Sequence, residues 1–265
     1  MPAEFWTYAF LCATAFLAGV MNSVAGGGTL LTFPALTALV VPAVANGTST
    51  VALLPGSFAG AFGYRKELWE CRRFVLRMIV PSVVGGYVGA WLVGKDQEAF
   101  ARLVPWLILT AAVLFVVQAP IAKWLKKRAA KEGALPDHHE AGWLTQAVVI
   151  GFQFLIAVYG GYFGAGIGIL MLSALGFMGV GDIHRMNAVK TFLAAAINTA
   201  GAVVFVRDRL VNWDYAIPMV AAAILGGYAG ARVARRLPAS YVRYAVIAIG
   251  FGLSVFYFIK EYAKA

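Results

Sequence analysis

Gly85-Gly86-Tyr87-Val88-Gly89-Ala90 returns 141 residues later as Gly226-Gly227-Tyr228-Ala229-Gly230-Ala231. The same gapless shift lays Asn46 on Asn187, Thr50 on Thr191, Gly60-Ala61 on Gly201-Ala202 and Arg102 on Arg243. Coincidences of Gly and Ala carry little weight in a chain with 29 glycines. Matches of Asn, Thr, Tyr and Arg at one common shift carry more. They point to one membrane-embedded unit used twice, a plan common among transporters, whose sites lie between the copies.

Composition supports a membrane setting. The 265 residues are 61% hydrophobic and 13% charged, against about 25% charged in a soluble domain. Apolar stretches fill nearly the whole chain, so the expected fold is an all-α polytopic membrane protein. The longest polar stretch, 123–143, is too short to fold alone. The net charge of +10 reads as loop lysines and arginines that set orientation. Nucleic-acid binding would need a soluble fold behind a basic face, which leaves membrane lipid and a small anionic solute as partners. Cys12 and Cys71 do not make a disulfide framework, and neither has a neighbouring His or Cys. Met1-Pro2-Ala3-Glu4 lacks the positive charge of a signal peptide, so the first apolar segment is expected to stay as a membrane element.

Polar breaks divide the chain into ten apolar stretches, five per half. The first half (1–122) holds 5–24, 29–41, 46–64, 74–94 and 103–121. A linker, 123–143, leads to the second half (144–265), with 144–163, 167–180, 187–206, 215–233 and 241–260. All are read as helices, because a segment in lipid must satisfy its own backbone; that gives about 8–10 transmembrane helices. The second stretch of each half, 29–41 and 167–180, is short: 13 residues rise only about 20 Å, against a hydrocarbon core of about 30 Å. Each follows its predecessor through glycine with no charged loop. Such a reversal suggests a broken or re-entrant segment whose tip lies inside the protein.

Loop charge orients the chain. Arg65, Lys66, Arg72 and Arg73, then Lys123, Lys126, Lys127, Arg128 and Lys131, then Arg185, then Arg232, Arg235 and Arg236 all fall on one side by alternate crossing. That side is the cytoplasm, and both termini are then outside. Each half crosses an odd number of times, so the second copy is inverted. Inverted copies permit two mirror-related states, the geometric basis of alternating access.

Four clusters are candidates for the site. Gly26, Gly27 and Gly28 form a bare tip beside Asn22, and Thr29 opens the half-helix behind it. A helix N-terminus with exposed amides suits an anion. Asn46, Thr48, Ser49 and Thr50 crowd the start of the third stretch; an N-cap accounts for one or two of them. Their counterpart holds Asn187, Lys190 and Thr191, followed by Asn198. Lys190 stands where the first copy has Ser49, and an intramembrane cation is expensive enough to suggest function, though near a helix end it also reads as an anchor that snorkels. The second tip offers Tyr162, Gly164, Gly166 and Gly168; its glycine spacing also suits helix packing. The Gly85/Gly89 and Gly226/Gly230 pairs read as packing sites. His138-His139 between Asp137 and Glu140 reads as a solvated loop rather than a metal site. No cofactor, phosphate-binding or nucleophile motif is present. No carboxylate falls within an expected span, which argues against a carboxylate-based sodium site and leaves proton coupling through water, Lys190 or the substrate.

At Met21-Asn22-Ser23-Val24-Ala25-Gly26-Gly27-Gly28-Thr29, Pro34-Ala35-Leu36 and Asn46-Gly47-Thr48-Ser49 the chain resembles the TauE/SafE family of sulfite and organosulfonate exporters. The resemblance extends to Tyr159-Gly160-Gly161-Tyr162-Phe163-Gly164-Ala165-Gly166-Ile167-Gly168 and to Asn187-Ala188-Val189-Lys190-Thr191, and covers essentially the whole chain. It implies transport of a small oxyanion (sulfite, sulfoacetate or a related sulfonate) across a bacterial inner membrane. Expected function is therefore export of a small sulfur-containing anion by a secondary transporter, with a homo-oligomer left open. A passive anion channel would conduct without saturation. A membrane enzyme would need acid, base or nucleophile clusters inside the spans, which the sequence does not offer, and a scaffold would need longer loops.

Overall fold

The computed structural model describes residues 2–24, 27–132, 143–177, 183–233 and 239–262. Ala25, Gly26, the 137–140 loop with His138 and His139, the end of the 167–180 stretch, and Arg235 and Arg236 lie outside the described residues. The described chain is helical and has no strand. In the first half it forms α1 (Pro2–Val24), α2 (Thr29–Thr37), α3 (Pro42–Gly63), α4 (Arg65–Glu70), α5 (Arg72–Lys95) and α6 (Gln97–Glu132). The second half forms α7 (Trp143–Tyr162), α8 (Ile167–Phe177), α9 (Ile183–Arg207), α10 (Trp213–Val233) and α11 (Ala239–Tyr262).

Several boundaries differ from the sequence expectation. α2 has 9 residues and the described part of α8 has 11, rises of about 14 and 17 Å, so α2 is even shorter than expected and α8 starts where the sequence placed it. The chain leaves α2 and restarts at Pro42, the first residue of α3, after Val41 in an extended conformation. Proline suits that position because its missing N–H has no helical partner there. Asn46 therefore lies a turn inside α3 and is no cap. Asn187 likewise lies within α9. α6 continues to Glu132, so residues 123–132 are helical rather than linker. The short α4 in the 65–73 loop was not legible as an apolar stretch.

Small residues let the helices approach closely. A Cβ at Gly85 would meet the Phe154 carbonyl of α7 at 2.7 Å, and one at Gly226 would collide with the Phe16 carbonyl of α1. These contacts join α5 to α7 and α10 to α1, two pairings that exchange when the halves are exchanged. The same holds elsewhere: α5 packs on α9 as α10 packs on α3, α1 on α2 as α7 on α8, and α2 on α11 as α8 on α6. Counterparts meet antiparallel. Along α3 and α9, Gly47 lies against Phe205 while Gly60 lies against Thr191. Along α6 and α11, the Pro105 carbonyl faces Ser254 while Gly250 lies against Ala112.

The outer surface is apolar. Leu76, Val80, Ile217 and Leu225 are all more than 60% exposed, and Trp6, Trp69, Trp143 and Trp213 stand exposed near helix ends, as side chains do at a lipid interface. Among the described residues, four helices are long and apolar enough to cross a bilayer: Glu4–Asn22, Arg72–Lys95, Gln97–Val117 and His184–Arg207.

Candidate functional site

A cavity of about 130 Å³ lies at the crossing of α3 and α9. Both half-helix tips reach it. On the first, Gly27 and Thr29 line the cavity with Asn22 of α1, and Asn22 Oδ1 accepts the Gly28 N–H at 2.8 Å. That bond satisfies one of the free donors that open a helix. On the second, Gly164, Ile167 and Gly168 line it beside Phe163, and the Tyr159 hydroxyl ties the turn by donating to the Ala165 carbonyl at 2.8 Å. Gly27 (φ 89°) and Gly164 (φ 78°) hold the left-handed conformation that glycine adopts without penalty. The two reversals are therefore written into the backbone and not only into a shortage of side chains.

The long helices supply the walls. Thr50, Leu53, Ser57 and Gly60 follow one face of α3, and Lys190, Thr191, Ala194 and Asn198 follow one face of α9. Five pairs in the lining are related by the 141-residue shift: Asn22 with Phe163, Gly27 with Gly168, Thr50 with Thr191, Leu53 with Ala194, and Ser57 with Asn198. The cavity thus lies where the two halves meet. Lys190 Nζ donates to Asn187 Oδ1 at 3.2 Å and is the one charged side chain in the lining among the described residues. Phe163 closes one wall by stacking edge-on against Phe33, at 5.1 Å between centroids; Phe33 meets Phe100, and Phe100 meets Tyr162. All three phenylalanines are buried, so an aromatic seal stands between the cavity and the start of α6.

Nine of the residues singled out from the sequence meet here: Asn22, Gly27, Thr29, Thr50, Gly164, Gly168, Lys190, Thr191 and Asn198. Others are placed away from it. Ser49 is buried and lies 2.6 Å from Thr32 Oγ1, and Thr48 accepts the Asn212 N–H at 2.9 Å. Asn46 donates to the Tyr162 carbonyl at 2.9 Å, which leaves its own Oδ1 buried without a hydrogen-bond partner among the described residues. Gly28 packs on Ala18 and Gly166 on Leu114. Tyr162 turns its ring to Phe100, and Asn187 holds Lys190 from behind. Gly26 lies outside the described residues. Residues not singled out, Leu53, Gly56, Ser57 and Gly60, continue the Thr50 face at helical spacing. Following that face down α3 would have found them.

A family model described as the sulfite exporter TauE/SafE matches residues 11–257. The chain belongs to the TauE/SafE family. It is 28% identical to a probable membrane transporter protein, ORF9, of Sinorhizobium sp. over 258 residues, 95% of this chain and 92% of that one. It is 24% identical to a probable membrane transporter protein of Haemophilus influenzae, with 92% and 91% covered, and 27% identical to the probable membrane transporter protein YfcA of Escherichia coli K12, with 83% and 77% covered. No solved structure gives a significant match. This TauE/SafE chain is accordingly a multi-pass membrane transporter.

Proposed function

We propose that the protein is a secondary transporter that exports a small sulfur-containing anion, sulfite or a small sulfonate, across the bacterial inner membrane by alternating access, with both termini outside. The observation that carries this reading is the cavity itself. Among the described residues its lining has one cation and no carboxylate, and two half-helix N-termini reach it. Helix N-termini and a lysine favour negative charge. A volume of about 130 Å³ is below the roughly 300–1,000 Å³ of pockets for drug-sized ligands, so it suits an ion of a few heavy atoms. The family description supports sulfite as the first anion to test. The aromatic seal favours a carrier over an open channel. The position of the cavity, toward the end of α3 and the start of α9, is the cytoplasmic half by loop charge.

Purified protein in liposomes is expected to move labelled sulfite saturably and to show counterflow when unlabelled sulfite is loaded on the far side. Flux that rises without saturation would identify a channel. No flux or binding across a panel of sulfite, sulfate, sulfoacetate and methanesulfonate would end the anion reading.

A further inference from the structure

Glycine weakens a helix interior, so each one there needs a reason. At Gly85, Gly86, Gly161 and Gly226 the reason is close approach, because a Cβ would strike the backbone of a neighbouring helix. Gly56 has no such reason. It lies inside α3, and a Cβ there would meet no described atom within 4 Å. Gly63, Gly151 and Gly252 have the same freedom, but they are exposed and do not line the cavity. Gly56 does line it. The space that a side chain at this position would fill is space in the cavity.

The 141-residue shift gives this position two settings. The counterpart of Gly56 is Ile197, a buried side chain whose Cγ2 lies against Gly86 and Gly160. The first half omits the branched side chain that the second half packs. The antiparallel crossing of α3 and α9 says where the omission falls. Gly60 lies against Thr191, the neighbour of Lys190. Gly56 precedes Gly60 by four residues on the same face, about 6 Å along the axis. Leu53 and Ala194 add carbon to the lining beside it. The cavity therefore has a polar end at Lys190 and Thr191, and an apolar stretch about one turn away where α3 carries no side chain.

We propose that Gly56 sets the length of anion that the site accepts. This deepens the reading of the cavity as an oxyanion site and rests on it. The charged head lies toward Lys190 and Thr191, and the missing side chain leaves room for a short carbon tail. A bare oxyanion uses the polar end alone. A sulfonate also lays its carbons on Leu53, Gly56 and Ala194, and their removal from water adds affinity. A side chain at position 56 takes the same space as the tail. Pro55 stands next to Gly56 inside α3, and proline bends helices. A hinge at Pro55-Gly56 would act on every anion alike, whereas tail room acts on the tail alone.

The test titrates sulfite, methanesulfonate and sulfoacetate, which carry no carbon, one and two, into the purified protein by isothermal calorimetry. The proteins compared are the native chain, Gly56→Ala, Gly56→Val and, for added bulk on α3 outside the cavity, Gly63→Val. In Gly56→Val, sulfite affinity is expected to stay within about threefold of native while sulfoacetate weakens about tenfold or more, as overpacking implies. Methanesulfonate is expected to fall between them. Gly56→Ala is expected to give the same order with smaller factors, and Gly63→Val to match the native chain. A Gly56→Val protein that weakens all three anions by one factor overturns the proposal, as does one that weakens none. Native protein that binds sulfite and neither sulfonate overturns it too, and so does a Gly63→Val protein that reproduces the sulfoacetate loss. Should Gly56→Val not fold, Gly56→Ala decides: it must weaken sulfoacetate more than sulfite, and equal effects overturn the proposal. Native protein that binds none of the three sinks the functional reading instead, before any variant is compared.

Discussion

Lys190 is the residue on which the proposed recognition turns. A hydrogen bond to a charged group contributes roughly 1.5–3 kcal/mol, so Lys190→Met is expected to weaken sulfite binding about 10- to 100-fold. Isothermal titration of the purified protein reads this directly, and unchanged affinity would reduce Lys190 to a membrane anchor. Asn22 acts by positioning. Its Oδ1 holds the Gly28 amide at 2.8 Å, so Asn22→Ala is expected to cost about 1 kcal/mol of stability and to loosen the α2 tip, seen as a lower thermal midpoint that added sulfite restores less well than in the native protein. At this scale the sequence was only partly legible. Lys190, Thr191 and Asn198 were found because amide, hydroxyl and ammonium groups are conspicuous in an apolar helix. Asn46, Thr48 and Ser49 are just as conspicuous, yet they spend their groups on Tyr162, Asn212 and Thr32. Composition reports that a polar group needs a partner; it does not report which partner it has.

Among the elements, close approach is decided by glycine. Gly85 and Gly226 are counterparts, and at each a Cβ would strike the backbone of the neighbouring helix. Gly85→Ala and Gly226→Ala are each expected to destabilise by about 1–3 kcal/mol, the range for overpacking. Gly63 and Gly151 have open space around them, so alanine there is expected to leave the detergent melting temperature unchanged. Equal melting of all four variants would contradict the packing described. The short α2 and α8 were legible from length and glycine alone, because 13 residues do not span a bilayer. Helix starts were not. Pro42 moved the beginning of α3 a full turn ahead of the polar cluster, and the charged 123–132 stretch extended α6, since lysine, arginine, alanine and glutamate are good helix formers.

For the molecule as a whole, the cavity lies where helices related by the 141-residue shift cross. Five pairs of its lining residues are related by one shift, so it lies between counterpart helices that run antiparallel. If the halves exchange settings during transport, Ser49 becomes accessible from outside. Ser49→Cys in a background with Cys12 and Cys71 replaced is therefore expected to react with an impermeant thiol reagent from the outer face during turnover and not at rest. The measurement that bears most directly on the account places a single cysteine in the cavity, Asn198→Cys in the same background. The expected result is reaction from the cytoplasmic face alone, slowed by sulfite with a concentration dependence matching its half-saturation for transport. Reaction from neither face, or at a rate indifferent to sulfite and every other oxyanion tried, would contradict it.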